Sequence, residues 1–474
     1  MYSETKKEIL RNILRFAPNL REATLLRFRL LPSFQIERSP RPVALPGWAY
    51  EGESWWLPTA SLRSLQIDCQ RIDKSFIDIW RKSTDFSLLE HLSLTGYLWV
   101  TVLDYLADEI RLPRLKSLVL DHLILHYTQS PDMPPPDRDH DRALEGFLTS
   151  LPELTKLKLG SFHWSWVKVN LGIGFLQHHG SRLQELDLEW FPKKKLRVTD
   201  LELIAKGCPL LRHFGLTLPR SYESPDEMAL YKALGSMRNL QSVSLALDVS
   251  LCLDTYGAIL DGEADDGRIV RTMHYPKVEA LNILARDVGV YYPLGLGRGH
   301  LWLKLVTCAC DQALARAIFE VISSGKPKGS LPLEKLSVWP THPDDFGRGS
   351  CPFDLACVLY TISQQWDVTR IVRNHGPDDL QVKESDLRNT CTERACYKKP
   401  PKLPLYLQRV WREAWPKKKS DNWWEDWSSY PLTPFTDDDD AHEDTSTSQN
   451  SSNSEESRDC TWSIMRVPSS HRRF

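Results

Sequence analysis

The stretch Thr199-Asp-Leu-Glu-Leu-Ile-Ala-Lys-Gly-Cys-Pro-Leu-Leu-Arg-His-Phe-Gly-Leu-Thr217 contains a helix signal followed by a strand signal within nineteen residues. Leu201 and Ile204 fall on one helical face, and the Gly-Cys-Pro sequence at Gly207 is a typical helix stop. A Leu-x-x-Leu-x-Leu pattern then begins at Leu211 and is typical of a short buried strand. One helix and one strand in so few residues indicate one turn of a repeat protein.

The same pattern recurs along the chain, with another apolar residue allowed at any of its three positions. Its first positions are separated by 27, 26, 39, 29, 28, 29 and 38 residues, and five of these seven intervals fit one strand plus one helix per turn. These positions are Leu62, Leu89, Leu115, Leu154, Leu183, Leu211, Leu240 and Val278. A weaker early copy begins at Leu20, a late copy begins at Leu333, and a degenerate turn is expected near Leu301 to Val306.

The predicted fold is therefore an α/β leucine-rich-repeat solenoid of about ten irregular turns, with a parallel sheet on its concave face and helices on its convex face. Thr199 is the predicted N-cap of one helix, and Ser224-Pro-Asp-Glu227 is a capping box with proline at the first helical position. Helical spacing between the strands is clearest at 100–110, 142–148, 200–207, 228–237 and 313–322.

Side chains alternate along a strand, so the residues between the leucines are expected on the concave sheet face. These residues are Ser64, Gln66, Asp68, His91, Ser93, Thr95, Lys156, Lys158, Glu185, Asp187, Glu189, His213, Trp302, Lys304, Lys335 and Trp339. We take eight of them as candidate partner-binding residues: Lys156, Lys158, Glu185, Asp187, Glu189, His213, Trp302 and Trp339.

The charged residues among these candidates form a basic column beside an acidic column, about 5 Å apart on neighbouring strands. One interpretation is that the columns neutralise each other as exposed ion pairs, each worth under about 1 kcal/mol. The other is a polar recognition stripe that selects a charged peptide. Trp302 and Trp339 are binding anchors if they are exposed, and core residues if the register is shifted by one.

The C-terminal fifth departs from the repeat. We predict a solenoid over 1–384, a Trp-rich capping segment over 385–430, and an acidic, Ser/Thr-rich disordered tail over 431–474 that includes four aspartates at Asp437 to Asp440. Leu403, Leu407 and Trp411 share i, i+4 spacing. The capping segment either covers exposed core at the end of the solenoid or presents a helix to a groove on a partner.

Several function classes have no support in the sequence. No run of 18 apolar residues suggests a membrane span, and the short basic runs at Lys193 to Lys195 and Lys417 to Lys419 form no continuous track for nucleic acid. Catalytic motifs and metal-ligand spacings are missing, so we expect no enzyme, no cofactor and no metal. The ten cysteines lack the dense spacing of a disulfide framework, and the expected location is cytoplasmic, nuclear or both.

The phrase from Val198 to Leu216 is similar to the cysteine-containing repeat of F-box leucine-rich-repeat proteins. The irregular repeats, with Trp366-Asp-Val-Thr-Arg370 before a polar end, resemble fungal F-box-associated proteins. The resemblance covers roughly 20–384 and is more specific for the fold than for the activity. It implies that the repeats hold a substrate protein while an F-box docks on the adaptor of an SCF-type cullin-RING ubiquitin ligase.

The F-box itself is not evident. It is a three-helix module, and only about twenty residues precede the first strand-like segment here. Lys6 to Phe16 instead resembles the helix of a repeat. Either the ligase-docking half is missing from this chain or the chain begins downstream of it, and an F-box-free repeat scaffold is the alternative function.

Overall fold

The described residues of the computed structural model all lie in the first of two units, Met1–Pro434. They are 19–28, 60–126, 140–160, 174–188, 196–220, 225–250, 298–341, 343–344, 351–373, 378–385, 402–417, 419–420 and 422–432. The predictions for Lys6 to Phe16, for the strand at Val278 and for the tail beyond Leu432 fall outside these residues.

The strands of the described part form one open sheet in chain order. They are β1 (Glu22–Phe28), β2 (Ser64–Ile72), β3 (His91–Trp99), β4 (Ser117–His126), β5 (Lys156–Leu159), β6 (Glu185–Leu188), β7 (His213–Pro219), β8 (Ser242–Asp248), β9 (Lys335–Thr341), β10 (Trp366–Ile371) and β11 (Asp379–Glu384). Neighbours from β1 to β9 are parallel, whereas β10 is antiparallel to both β9 and β11.

Helices alternate with these strands, which confirms the predicted α/β solenoid. They are α1 (Lys74–Ser83), α2 (Val100–Asp108), α3 (His140–Ser150), α4 (Gly174–His179), α5 (Val198–Gly207), α6 (Pro225–Gly235), α7 (Arg298–Cys308), α8 (Gln312–Ser324), α9 (Phe353–Ile362) and α10 (Leu405–Ala414). Within the described residues, no helix is both long enough and apolar enough to cross a membrane.

The repeated leucines set the register of the sheet. Leu92 lies opposite Leu65 on one side and opposite Leu118 on the other, and Leu157 continues the row. All four side chains are almost completely buried. Burial of one leucine stabilises the fold by roughly 1.5–3 kcal/mol, so the row of leucines accounts for much of the packing between turns.

A second repeated contact joins the turns just before each strand. The Arg63 carbonyl accepts both the Glu90 and His91 N–H groups, at 2.8 and 2.9 Å. The same double contact recurs at the carbonyls of Arg21, Glu90, Lys116, Thr155, Gln184, Arg212 and Gln241. The N–H groups at the start of each strand bond to a carbonyl of the previous turn, so successive strands begin at the same height in the sheet. Their outward polar side chains therefore form level rows across the strands.

The predicted helices are found with small changes at their ends. Helix α5 begins at Val198, so the predicted N-cap at Thr199 is wrong and Arg197 holds that position. The Asp200 carboxylate accepts the Arg197 N–H at 3.0 Å and so starts the helix one residue before Thr199. Pro225 opens α6 as predicted, whereas Ser224 lies outside the described residues.

The stretch between β8 and β9 departs from the prediction. The expected degenerate strand near Leu301 is part of α7, and β8 pairs directly with β9 through Val243 opposite Leu336. Residues 301–306 are buried on every side of α7, because this helix lies between the solenoid and the C-terminal segment. Such all-round burial removes the polar positions that reveal a helical period in sequence.

The Trp-rich segment folds onto this helix. Trp411 of α10 is completely buried, and its ring lies 4.4 Å from that of Trp415 and 4.9 Å from that of Trp423. Asp311, the N-cap of α8, accepts the Ser429 N–H at 3.0 Å, and its own N–H donates to the Ser429 hydroxyl at 2.7 Å. The tryptophans of residues 402–432 therefore contribute to a second apolar core next to the solenoid.

His178 and His179, at the end of α4, join two turns of the solenoid. The His179 ring is fully buried, accepts the Leu154 N–H at 3.3 Å and contacts the Leu148 carbonyl at 2.9 Å. His178 contacts the Leu151 carbonyl at 2.7 Å. One His179 nitrogen must therefore stay unprotonated, and burial lowers the pKa of His179, with a further lowering by His178.

This arrangement predicts acid sensitivity. Because the folded pKa of His179 lies below its ordinary value of about 6.5, its contribution is complete above that value and is lost as pH falls below it. His213 and His300 also have lowered pKa values and act in the same direction. We expect the melting temperature to fall between pH 7 and pH 5, and to fall less in His179→Gln. Equal slopes in thermal melts of the two proteins would contradict this role.

Candidate functional site

The candidate site lies on the outward face of strands β2 to β7. Side chains alternate between core and surface along these strands, so mainly polar residues cover the outer side of the sheet. We call this surface the polar face and define it by Ser64, Gln66, Asp68, His91, Ser93, Thr95, Ser117, Val119, Asp121, Lys156, Lys158, Glu185, Asp187 and His213. The predicted face residue Glu189 lies outside the described residues.

The predicted basic and acidic columns lie side by side. Lys156 is opposite Glu185 and Lys158 is opposite Asp187, on the adjacent strands β5 and β6. The Lys156 Nζ lies 2.6 Å from Glu185 Oε2, and both side chains are nearly half exposed. Such an exposed pair contributes under about 1 kcal/mol, so it orders the surface more than it stabilises the fold.

Lys158 is held from two sides, and sequence reasoning missed one of its partners. Its Nζ lies 3.2 Å from Asp187 Oδ2 and 3.8 Å from Asp121 Oδ2, across three neighbouring strands. Because side chains alternate along β4, the inward position of Leu120 places Asp121 on the outer face. This alternation in the sequence could have identified Asp121 as a partner of Lys158. The centre of the polar face therefore carries a lysine between two carboxylates.

Both carboxylates lie over glycines of the next turn, Gly160 directly after β5 and Gly215 within β7. A Cβ at Gly160 would lie 2.1 Å from Asp121 Oδ1, and a Cβ at Gly215 would lie 2.6 Å from Asp187 Oδ1. These distances are far shorter than a real Cβ contact, so each carboxylate occupies the space that a larger residue would need. The two glycines thus let the acidic side chains lie across the sheet rather than project from it.

This packing gives a direct prediction for Gly215→Ala. The new methyl group must displace the Asp187 carboxylate, so the Lys158–Asp187 pair should open and the free energy of unfolding should fall by about 1 kcal/mol. Urea denaturation measures the change. In an Asp187→Ser background the same alanine should cost much less, and an equal cost in both backgrounds would contradict the contact.

His213 closes the polar face beside the acidic column, opposite Glu185. Burial lowers the pKa of His213, while Asp187 and Glu185 act in the opposite direction. The net lowering leaves a neutral imidazole at neutral pH. A neutral ring offers one donor and one acceptor, which suits hydrogen bonding to a peptide more than charge pairing.

Strands β2 to β6 form a shallow concavity at the level where they begin. Its volume is about 470 Å³, which is space for several side chains of a bound segment. Short side chains at Ser64, Ser93 and Ser117 leave the floor low. Longer side chains stand around them, among them Gln66, His91, Lys156 and Glu185.

Two predicted face residues are not on this face. Trp302 is fully buried in α7, with its ring 6.0 Å from that of Tyr430, so the prediction of an exposed anchor is wrong. Lys304 is also buried in α7, where its Nζ donates to the Val249 carbonyl at 2.7 Å. Trp339 lies on β9 opposite Ala246 and is half-buried, which agrees with its predicted place on the sheet.

Groups of three or more His, Cys, Asp or Glu side chains able to hold a metal ion are not found within the described part of the chain. Burial raises the pKa of Cys208 and of Cys308 to about 11, so neither thiol is a ready nucleophile. A scan against protein-family models gives no match for this chain, and a search of curated proteins gives none either.

Proposed function

We propose that this chain is a protein-recognition module whose polar face binds an extended segment of a partner protein. The observation that carries the proposal is the concavity of about 470 Å³ over β2 to β6, lined by hydroxyl, amide, imidazole and charged groups together with Leu65, Leu92 and Val119. Strands β2 to β6 are hydrogen-bonded in one register, so their outward polar groups are held in fixed rows across the sheet. Fixed polar rows give specificity for a bound segment at little cost in ordering.

The charge of the polar face supports a cationic segment. The polar face has a formal charge of −2. It carries four carboxylates, on Asp68, Asp121, Glu185 and Asp187, and two amines, on Lys156 and Lys158. Both amines already contact carboxylates of the same face. Lysine or arginine side chains of a partner would therefore meet a complementary surface, which raises both selectivity and association rate.

The test is to block the concavity without breaking these ion pairs. Gln66→Arg with Ser93→Arg adds two positive charges and two large side chains at the site. Gln177→Arg with Gln312→Arg adds the same charge on exposed helical positions and serves as the matched control. Proteins recovered from native cells with the tagged chain should be lost with the face variant and kept with the control. Equal recovery with both folded variants would remove the polar face from the proposal.

We further propose a role as a substrate receptor of an SCF-type ubiquitin ligase, with an F-box-free scaffold as the alternative. The support is the resemblance of the α5–β7 unit, with its buried Cys208, to the repeats of F-box leucine-rich-repeat proteins. No catalytic step is assigned to this chain, and a cytoplasmic or nuclear location remains part of the proposal. Recovery of a cullin and its adaptor under proteasome inhibition would support the receptor, whereas other partners without them would support the scaffold.

A further inference from the structure

Strand β11 is the last strand of the sheet, and one of its edges faces away from β10. The Ser385 N–H donates to the Gln365 carbonyl at 2.9 Å, which fixes the odd-numbered residues of β11 as those bonded to β10. The even-numbered residues Leu380 and Val382 therefore direct their N–H and C=O groups outward.

Only some of these outward backbone groups have hydrogen-bond partners among the described residues. The Leu380 carbonyl accepts a hydrogen bond from Arg316 Nη2 at 3.2 Å, and the Leu380 N–H donates to Asp379 Oδ1 at 2.8 Å. Val382 has no hydrogen-bond partner on this edge in the described part of the chain. Outward backbone groups of this kind are a template for a further strand.

The side chains of β11 are complementary to themselves. The segment Asp379-Leu-Gln-Val-Lys383 has opposite charges at its two ends, apolar residues inside them and glutamine at the centre. In an antiparallel pair with a two-fold axis at Gln381, Asp379 faces the second copy's Lys383, and Leu380 faces the second copy's Val382. Leu380 and Val382 both direct their backbone groups outward, so this register has the parity that hydrogen bonding requires. The Leu380 N–H exchanges its bond to Asp379 Oδ1 for one to the Val382 carbonyl of the second copy, and the Leu380 carbonyl has a second lone pair beside the one that accepts from Arg316.

We propose that β11 pairs with β11 of a second copy of this chain, joining two sheets edge to edge about a two-fold axis. The closed symmetry uses the same strand on both copies, which is the usual form of a homodimer contact. Asp379 also lies 2.5 Å from Arg373, and this exposed ion pair competes with the intermolecular one. The contact is consequently a concentration-dependent association.

Sedimentation velocity of the full chain over a range of concentrations tests the proposal. Val382→Pro removes an outward N–H and leaves the bonds to β10 in place, so it should weaken self-association about tenfold or more while the circular dichroism spectrum is unchanged. A sheet contact elsewhere on the molecule would not respond to this substitution. A dimer of unchanged strength in Val382→Pro would overturn the proposal.

Charge exchange tests the register. Lys383→Asp places aspartates opposite each other, and Asp379→Lys places lysines opposite each other, so each variant alone should be monomeric. An equimolar mixture of the two restores both opposite-charge pairs and should form a heterodimer. Failure of the mixture to associate while the wild type does would overturn the two-fold register.

Hydrogen exchange at the Val382 amide shows whether a second copy, another segment of the same chain or solvent lies at the outer edge of β11. Protection that increases with protein concentration supports the dimer. Protection at every concentration in a monomeric sample means that another segment of the same chain covers the edge, and rapid exchange at every concentration means that the edge stays open. Either of the last two results overturns the proposal.

Discussion

Replacement of Glu227 by alanine should destabilise the protein by about 3–5 kcal/mol, because it leaves a buried arginine without its counter-charge. Arg220 Nη1 donates to both Glu227 carboxylate oxygens, at 2.7 and 2.9 Å, and the Tyr231 hydroxyl donates to Oε1 at 2.7 Å. Both charged side chains are at most 4% exposed. Burial opposes the charge on Arg220, yet Glu227 and its neighbours raise the pKa of Arg220.

Urea denaturation measures this loss, and a double variant provides the control. Arg220→Met with Glu227→Leu removes both charges together, so it should recover most of the stability lost in Glu227→Ala. A single variant within about 1 kcal/mol of the wild type would show that the pair is not buried as described.

Replacement of Trp411 by alanine should cost about 3–5 kcal/mol, the usual range for a fully buried tryptophan. The ring is the centre of the cluster formed by Trp411, Trp415 and Trp423 against α7. We expect residues 402–432 to lose protection from hydrogen exchange first, since the substitution removes the contact that joins this segment to α7.

A control for this variant lies on the same helix. Leu405 is 86% exposed, so Leu405→Ala should change the free energy of unfolding by less than about 0.5 kcal/mol. If Leu405→Ala lowered the free energy of unfolding more than Trp411→Ala does, the packing of α10 against α7 would not depend on Trp411. Loss of a bound partner from a fully folded Trp411→Ala protein would instead favour the docking-helix interpretation of this segment.

The repeat was predictable from sequence because its signal is local. Leu65, Leu92 and Leu118 share a spacing that both marks the strands and fixes their register, so the polar face followed from alternation alone. The pairing of Lys156 with Glu185 followed in turn, since residues at equivalent positions of adjacent turns become neighbours.

The errors come from contacts that the repeat does not determine. The run around Trp302 alternates like a strand, yet it is a helix that the solenoid and the C-terminal segment together bury on all sides. The antiparallel strands β10 and β11 have no leucine spacing to reveal them. Arg220 and Glu227 are seven residues apart with no motif, and only the fold shows that they share one buried site.

Site-specific photo-crosslinking tests most directly whether the polar face binds a partner. A photoreactive amino acid at Gln66, which lines the concavity, is compared in native cells with the same residue at Gln177 on the exposed side of α4. We predict a discrete crosslinked protein from position 66 that is missing from position 177, with the crosslink mapping to a lysine- or arginine-rich segment. Crosslinks from position 177 alone, to a discrete partner, would place recognition on the helices and contradict the account.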